Sequence, residues 1–219
     1  VMLAAINTKG QTTIKAKKSR NHSEILFKYL RLPIKVIEKK NHDLIKIKGI
    51  KKIKSLNYKI PSDISSGAFF IILTVLSKNS KIKIKNVNIN PSRVGVLKIL
   101  KMMNVKISLK NIKNYKGEKI ADLYAESTES LKAIKCPPGL NSSAIDEFLI
   151  IFLVAAKAKG ISKFRDLGEM NKKESKRLDL AVKFLRLIGI KVERFKNDIN
   201  IHGKPKLILS KNFEMKNFL

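Results

Sequence analysis

The sequence predicts an α/β fold in which one β-α-β-α-β-β unit is repeated. Three observations carry this. The first is a recurring order of apolar run, turn, short strand, polar loop and amphipathic helix, at 1–30, 68–102 and 148–188. The second is a shared ending: Tyr-Leu-Arg-Leu-Pro-Ile-Lys-Val at 29–36, Ile-Leu-Lys-Met-Met-Asn-Val-Lys-Ile at 99–107 and Phe-Leu-Arg-Leu-Ile-Gly-Ile-Lys-Val at 184–192. The third is the alternation Ile34/Val36, Val105/Ile107 and Ile190/Val192, the pattern of a half-buried strand. One such unit cannot bury both its sheet and its helices; repetition lets neighbours share a core.

Each element has a local reason. The apolar runs at 1–6, 68–76 and 148–158 predict helices. Those at 68–76 and 148–156 are apolar on all faces and are expected to lie buried and parallel. Lys9-Gly10, Lys78-Asn79 and Lys159-Gly160 then turn the chain, because Gly and Asn tolerate left-handed backbone. Strands follow at 12–16, 81–87 and 161–165. Amphipathic helices are predicted at 23–30, 94–102 and 178–188, with apolar residues three and four apart, such as Leu178, Ala181, Val182 and Leu185. A second strand follows the helix in at least two units, at 44–47 and 199–201. Between the first two units, Pro61 biases Ile60 to an extended conformation, and Asp63 is placed to cap a helix, with Ser66 three residues on. A domain boundary is expected near 59–61, an ordinary strand-to-helix turn being the alternative. The loop before the third amphipathic helix is longer than its counterparts, the extra residues falling in 166–173. Such an insertion at a helix start is where function is grafted onto a repeat.

Of 219 residues, 44% are hydrophobic, enough for a core, and no apolar run reaches the roughly 18 residues that span a membrane. A soluble chain with no membrane partner is expected. The single Cys136 cannot form an internal disulfide, which fits a reducing, cytoplasmic setting. With His22, His42 and His202 scattered, no metal site is expected. The net charge of +30 raises a nucleic-acid partner. The excess is spread along the chain, however, and aromatics are 6% with no Trp, so stacking platforms for bases are few. With Ile, Lys and Asn so frequent, compositional drift is one source of the excess, and anionic small substrates suited to part of it are the other. The chain starts at Val1 inside an apolar segment and ends at Phe218-Leu219, which reads as a piece of a longer protein.

The candidate chemistry gathers at 171–178, where Lys173, Glu174 and Arg177 occur together. A helix beginning near Glu174 would place Glu174 and Arg177 one turn apart on one face, at a helix end that favours anions. The plain alternative is a solvated, charged helix start. Ser19-Arg20 and Ser92-Arg93 precede the first two amphipathic helices, and Ser175 and Arg177 open the third. A hydroxyl and a guanidinium there form a phosphate or carboxylate site, though Ser92-Arg93 reads better as N-capping by Ser or Asn with a solvated Arg. Asp146 and Glu147 stand at the start of an apolar helix. Acids there favour the helix dipole, or Asp146 serves as a general base. Cys136, before Pro137-Pro138 and with no His near in sequence, reads as structural.

Asp63-Ile64-Ser65-Ser66-Gly67-Ala68-Phe69-Phe70, Asn90-Pro91-Ser92-Arg93, Ala144-Ile145-Asp146-Glu147 and Lys173-Glu174-Ser175-Lys176-Arg177-Leu178 occur in that order. Together they resemble the EPSP synthase family (3-phosphoshikimate 1-carboxyvinyltransferases). Ser19-Arg20-Asn21-His22-Ser23-Glu24 is similar to that family's Ser-Arg-Asp-His-Thr-Glu stretch, and the likeness is to the glyphosate-tolerant branch. The resemblance implies the inside-out α/β barrel fold of enolpyruvyl transferases, two domains of three units each. Residues 1–59 would end the shikimate-phosphate-side domain, and 60–219 would form most of the second with two units. The implied reaction moves the enolpyruvyl group of phosphoenolpyruvate to the 5-hydroxyl of shikimate 3-phosphate and releases phosphate. It implies no cofactor, no metal and a monomer at full length. Asp146 would take the hydroxyl proton, and Glu174 would handle the methylene proton. Lys173 would contact the shikimate phosphate and Arg177 phosphoenolpyruvate, with Ser19 and Arg20 on the shikimate side. The chain departs from the family at Lys176, where an acid is usual, at Ser62 and at Gly67. The family's N-terminal Lys-Ser…Arg, Ser-Ala-Gln and C-terminal Asp-His-Arg motifs fall outside 1–219. The chain alone is therefore expected to be inactive. The alternatives are a related enzyme acting on UDP-N-acetylglucosamine, which relies on a loop Cys, and a basic nucleic-acid-binding protein.

Overall fold

The computed structural model describes residues 1–172 and 175–208. Three copies of one unit follow one another. The first is α1 (Met2–Ile6), β1 (Gln11–Lys17), α2 (His22–Tyr29), β2 (Ile34–Glu38) and β3 (His42–Lys48). The second is α3 (Ile64–Leu76), β4 (Lys81–Asn88), α4 (Gly95–Met102), β5 (Ile107–Tyr115) and β6 (Glu118–Glu126). A short helix, α5 (Asn141–Ala144), precedes the third, α6 (Phe148–Lys157), β7 (Gly160–Phe164), α7 (Arg177–Leu187), β8 (Val192–Phe195) and β9 (Asp198–Gly203). Each unit closes an antiparallel three-stranded sheet with its last strand in the middle: β1-β3-β2, β4-β6-β5 and β7-β9-β8.

The repeat reaches single atoms. Gly49 follows β3, and a Cβ there would sit 1.6 Å from the Thr8 carbonyl oxygen; one on Gly203, at the end of β9, would sit 1.8 Å from that of Ala158. Both glycines let the end of the central strand cross the turn that leaves the unit's first helix. The chain entering the second and third units runs parallel beside the edge strand. Ser62 bridges Val87, and Lys132 and Lys135 bridge Lys159 and Lys163. These rails deliver residues 63 and 137–147 to the heads of α3 and α6.

The helix starts differ from their expected places in instructive ways. α3 begins four residues before the apolar run, because the Asp63 carboxylate accepts from the amides of Ser65 (3.3 Å) and Ser66 (2.9 Å). α7 begins at Arg177, within one residue of the expected 178, so the condition that a helix begin near Glu174 is not met, and Arg177 lies in its first turn. The amide of Leu178 is capped from a distance by Asn171 Oδ1 at 2.9 Å. The described part of the longer loop, 166–172, is packed rather than free: Leu167 and Met170 are wholly buried.

Units two and three share one core, whose centre is the aromatic trio Phe148, Phe152 and Phe164, with ring centroids 5.0–5.9 Å apart. The first unit has its own small cluster of Ala5, Ile6, Phe27, Ile45 and Ile47. α6 is buried as expected, and it packs against α3. α3 buries only one side: Phe69, Phe70 and Leu73 are 60, 60 and 65% exposed, although the helix reads apolar all round. Among the described residues, no helix is long and apolar enough to cross a membrane.

Candidate active site

The site forms where the starts of α2, α4, α6 and α7 converge. Asp146 stands in the turn between α5 and α6, half-buried at the head of a helix most of whose residues are drawn into the core. Arg20, in the loop between β1 and α2, pairs through Nη2 with Asp146 Oδ2. Arg177, at the first position of α7, places Nη1 3.3 Å from Asp146 Oδ1. One carboxylate thus lies between two guanidiniums that come from different units. Asp146 and Arg177 are about three-quarters buried and Arg20 is more open. Partial burial strengthens this coupling beyond that of a surface pair.

Of the residues expected from the sequence, Asp146, Arg20 and Arg177 are brought together. Ser19 lies in the same loop as Arg20 and lines the adjoining cleft with Lys18, Ser92, Lys98, Ser142 and Ser143. Lys173 and Glu174 lie outside the described residues. The expectation for Arg93 is corrected: it is not a solvated neighbour of a capping Ser92. Its guanidinium is largely buried and donates through Nη2 to Asp63 Oδ1 at 2.9 Å and to Ser65 Oγ. Ser92 is no helix cap either, since both its amide and its hydroxyl donate to Asn90 Oδ1. Ser65 in turn donates to Glu147 Oε1. Glu147 is 3% exposed. Burial pushes its carboxyl above the usual range, with the Ser65 hydrogen bond and the Arg93 charge pulling the other way. Sequence spacing gave no sign of this cluster beyond the motif residues themselves, because its members are 28, 30 and 82 positions apart.

A second cluster ties the first unit to the second. His22 Nδ1 meets Glu118 Oε1, and Asn90 Nδ2 spans Asn21 Oδ1 (2.9 Å) and Glu118 Oε2 (3.2 Å). The turn at Gly117, which has φ +89°, presses on Ile25 of α2, where a Cβ would come within 2.9 Å of its Cγ2. These contacts seat the start of α2, and so Arg20, over the head of α6. Cys136 is buried, and burial pushes its thiol up to about 11, which makes it a poor nucleophile near neutral pH. Among the described residues no cluster of three or more His, Cys, Asp or Glu side chains offers a metal site.

The fold and this site can be set beside known proteins. Residues 1–212 match the family model of EPSP synthase (3-phosphoshikimate 1-carboxyvinyltransferase). The chain is 36% identical over 219 residues to the 3-phosphoshikimate 1-carboxyvinyltransferase of Ruthia magnifica subsp. Calyptogena magnifica, covering 98% of this chain and 49% of that protein. It is 34% identical over 208 residues to the Bacillus subtilis (strain 168) enzyme of the same name, covering 94% and 47%. A solved structure of EPSP synthase from Acinetobacter baumannii superposes with a TM-score of 0.83 at 32% identity, covering 94% of this chain and 45% of that one. The enolpyruvyl transferase NikO from Streptomyces tendae shares the fold alone, with a TM-score of 0.62 at 14% identity over 92% of this chain and 44% of that one. The chain spans about half the length of the curated relatives it matches. With the repeated unit, the converging helix starts and a family match over nearly every residue, the chain belongs to the EPSP synthase family.

Proposed function

We propose that the protein to which this chain contributes transfers the enolpyruvyl group of phosphoenolpyruvate to the 5-hydroxyl of shikimate 3-phosphate, releasing phosphate. The observation that carries the reading is Asp146 held between Arg20 and Arg177. Two multiply charged anions must be brought together before they react, and fixed guanidiniums offset their repulsion. When Arg177 turns to phosphoenolpyruvate and Arg20, with Ser19, to the shikimate phosphate, Asp146 loses its counter-charges. It becomes the stronger base at the moment the hydroxyl must give up its proton. In this reading Glu174 handles the proton on the methylene carbon and Lys173 meets the shikimate phosphate. The buried, poorly ionised Cys136 does not support the UDP-sugar alternative, which relies on an accessible loop cysteine.

We read residues 1–59 as the end of one domain and 60–219 as most of the other; the two separate apolar clusters support the division. The reaction as read needs no metal or organic cofactor, and the full-length protein is taken to be a cytoplasmic monomer. To test the function, residues 1–212 replace the matching stretch of the Bacillus subtilis relative, and phosphate release is followed with each substrate varied. Asp146→Ala should lower kcat more than it raises KM, and Arg177→Ala should chiefly raise KM for phosphoenolpyruvate. The 219-residue chain alone should release no phosphate above background. Unchanged turnover in Asp146→Ala, or faster reaction with UDP-N-acetylglucosamine than with shikimate 3-phosphate, would overturn the reading.

A further inference from the structure

We propose that Glu147 is a positioning residue for Asp146, acting through the chain Glu147–Ser65–Arg93–Asp63 that ties the head of α6 to the head of α3; this rests on the reading of Asp146 as the base.

The backbone of Glu147 is the joint between α5 and α6. Its amide donates to the Ala144 carbonyl (3.0 Å), and its carbonyl accepts from Ile150 (3.1 Å) and Ile151 (3.0 Å). Its side chain points inward and is almost wholly buried, which costs free energy unless the carboxyl is hydrogen-bonded. The Ser65 hydroxyl meets that need. Ser65 is itself held by Arg93, and Arg93 by Asp63, the residue that caps α3. Adjacent residues at a helix start point about 100° apart. A Glu147 side chain anchored in the core therefore leaves Asp146 one direction, toward Arg20 and Arg177. The charged groups that face Glu147 are Arg93, Arg20 and Asp146, with Ser65 its hydrogen-bond donor. The same chain starts two residues beyond Pro61, where the polypeptide passes from the first unit to the second. Movement at that crossing is thereby transmitted to the base.

The test is a carbon-13 NMR titration of the Asp146 side-chain carboxyl in the full-length protein to which this chain contributes. It needs no turnover, so its failure is distinct from failure of the transferase reading, which the phosphate-release assay alone decides. Ser65→Ala removes the donor and leaves the Glu147 charge in place. The Asp146 midpoint should rise by at least about half a unit, a threefold gain in proton affinity, as the carboxylate leaves its guanidiniums. Ser65→Thr keeps the hydroxyl and should restore the midpoint. Arg93→Lys, which loses the planar fork, should shift it in the same direction, and it decides the matter if Ser65→Ala does not give a folded amide spectrum. Were Glu147 to act only through its charge, Ser65→Ala and Arg93→Lys would leave Asp146 in place while Glu147→Gln lowered its midpoint. That pattern overturns the proposal.

Discussion

Replacing Asp63 separates two contributions that one carboxylate makes. Asp63 caps α3 through the amides of Ser65 and Ser66 and the Ser66 hydroxyl, and it pairs with Arg93 at 2.9 Å. Loss of an N-cap costs about 1 kcal/mol. A hydrogen bond to a charged partner contributes about 1.5–3 kcal/mol. Here Asp63 is half exposed, so solvent screening reduces that to about 1 kcal/mol. Asp63→Ala should therefore cost about 2 kcal/mol. In a chain of this size that is a fall of about 4–8 °C in Tm. Asp63→Asn keeps a good cap and loses only the charge, so it should fall about half as far. Thermal unfolding followed by circular dichroism reads both. The pH dependence has a definite sign. Burial pushes the Asp63 carboxyl up, but the Ser66 amide and hydroxyl, the Ser65 amide and Arg93 together hold it below its ordinary value. A lowered carboxyl stabilises the fold above about pH 4 and loses that contribution as the pH falls through its folded value. The gap between wild type and Asp63→Asn should thus narrow on acidification. Equal losses for Asn and Ala would refute the cap, and a gap that widened in acid would refute the electrostatic reasoning.

Three further outcomes follow from the packing. Phe152→Ala removes the middle of the aromatic trio and should cost about 3–5 kcal/mol in a urea titration, with the slope unchanged. Gly203→Ala drives a methyl into the Ala158 carbonyl oxygen and should lower Tm more than Gly139→Ala, where the added Cβ meets nothing within 4 Å. Asp122 holds the bulges on both flanks of β6, accepting from Asn111 Nδ2 (3.0 Å) and the Asn86 amide (3.1 Å) and pairing with Lys83. The Asn111 amide, followed by the Asn86 amide, holds its carboxyl down at about 2. Hydrogen exchange at Asn86 should stay slow at pH 3 and quicken toward pH 2, whereas Asp122→Ala should exchange quickly at both.

The repeat was legible because its signals are local: apolar spacing, turn residues and alternation each lie within about ten positions. β6 was missed for the opposite reason. Unlike β3 and β9, also central, it buries successive residues on both faces, Ala121, Leu123 and Ala125 on one and Ile120 and Asp122 on the other, so the alternation that marks a half-buried strand is absent. Asp63 was recognisable as a cap because Ser66 lies three residues on. Arg93 was misread because what buries it is thirty positions away. Asp146, Arg20 and Arg177 were singled out by their places at predicted helix starts and given roles by the motif resemblance, and only the folded chain shows two of them closing on the third. The exposed side of α3 was illegible, since an apolar helix gives the same pattern whether one side or both are covered.

The placement of each unit's last strand in the middle of its sheet has a consequence for how the chain comes into being. β2 and β3 form a local hairpin, as do β5 with β6 and β8 with β9. The remaining strand, although made first, has no partner within its sheet until that hairpin exists, because there it borders the last strand. On the ribosome β1, β4 and β7 must wait for that central partner, each through the synthesis of an intervening helix, although for β4 and β7 the chain already made bridges one edge, at Ser62–Val87 and Lys135–Lys163. The lysine-rich faces of β1 and β4, with Lys15 and Lys17 on one and Lys81, Lys83 and Lys85 on the other, suit that wait, because repeated like charge keeps an unpaired strand from pairing with its copy on a neighbouring chain.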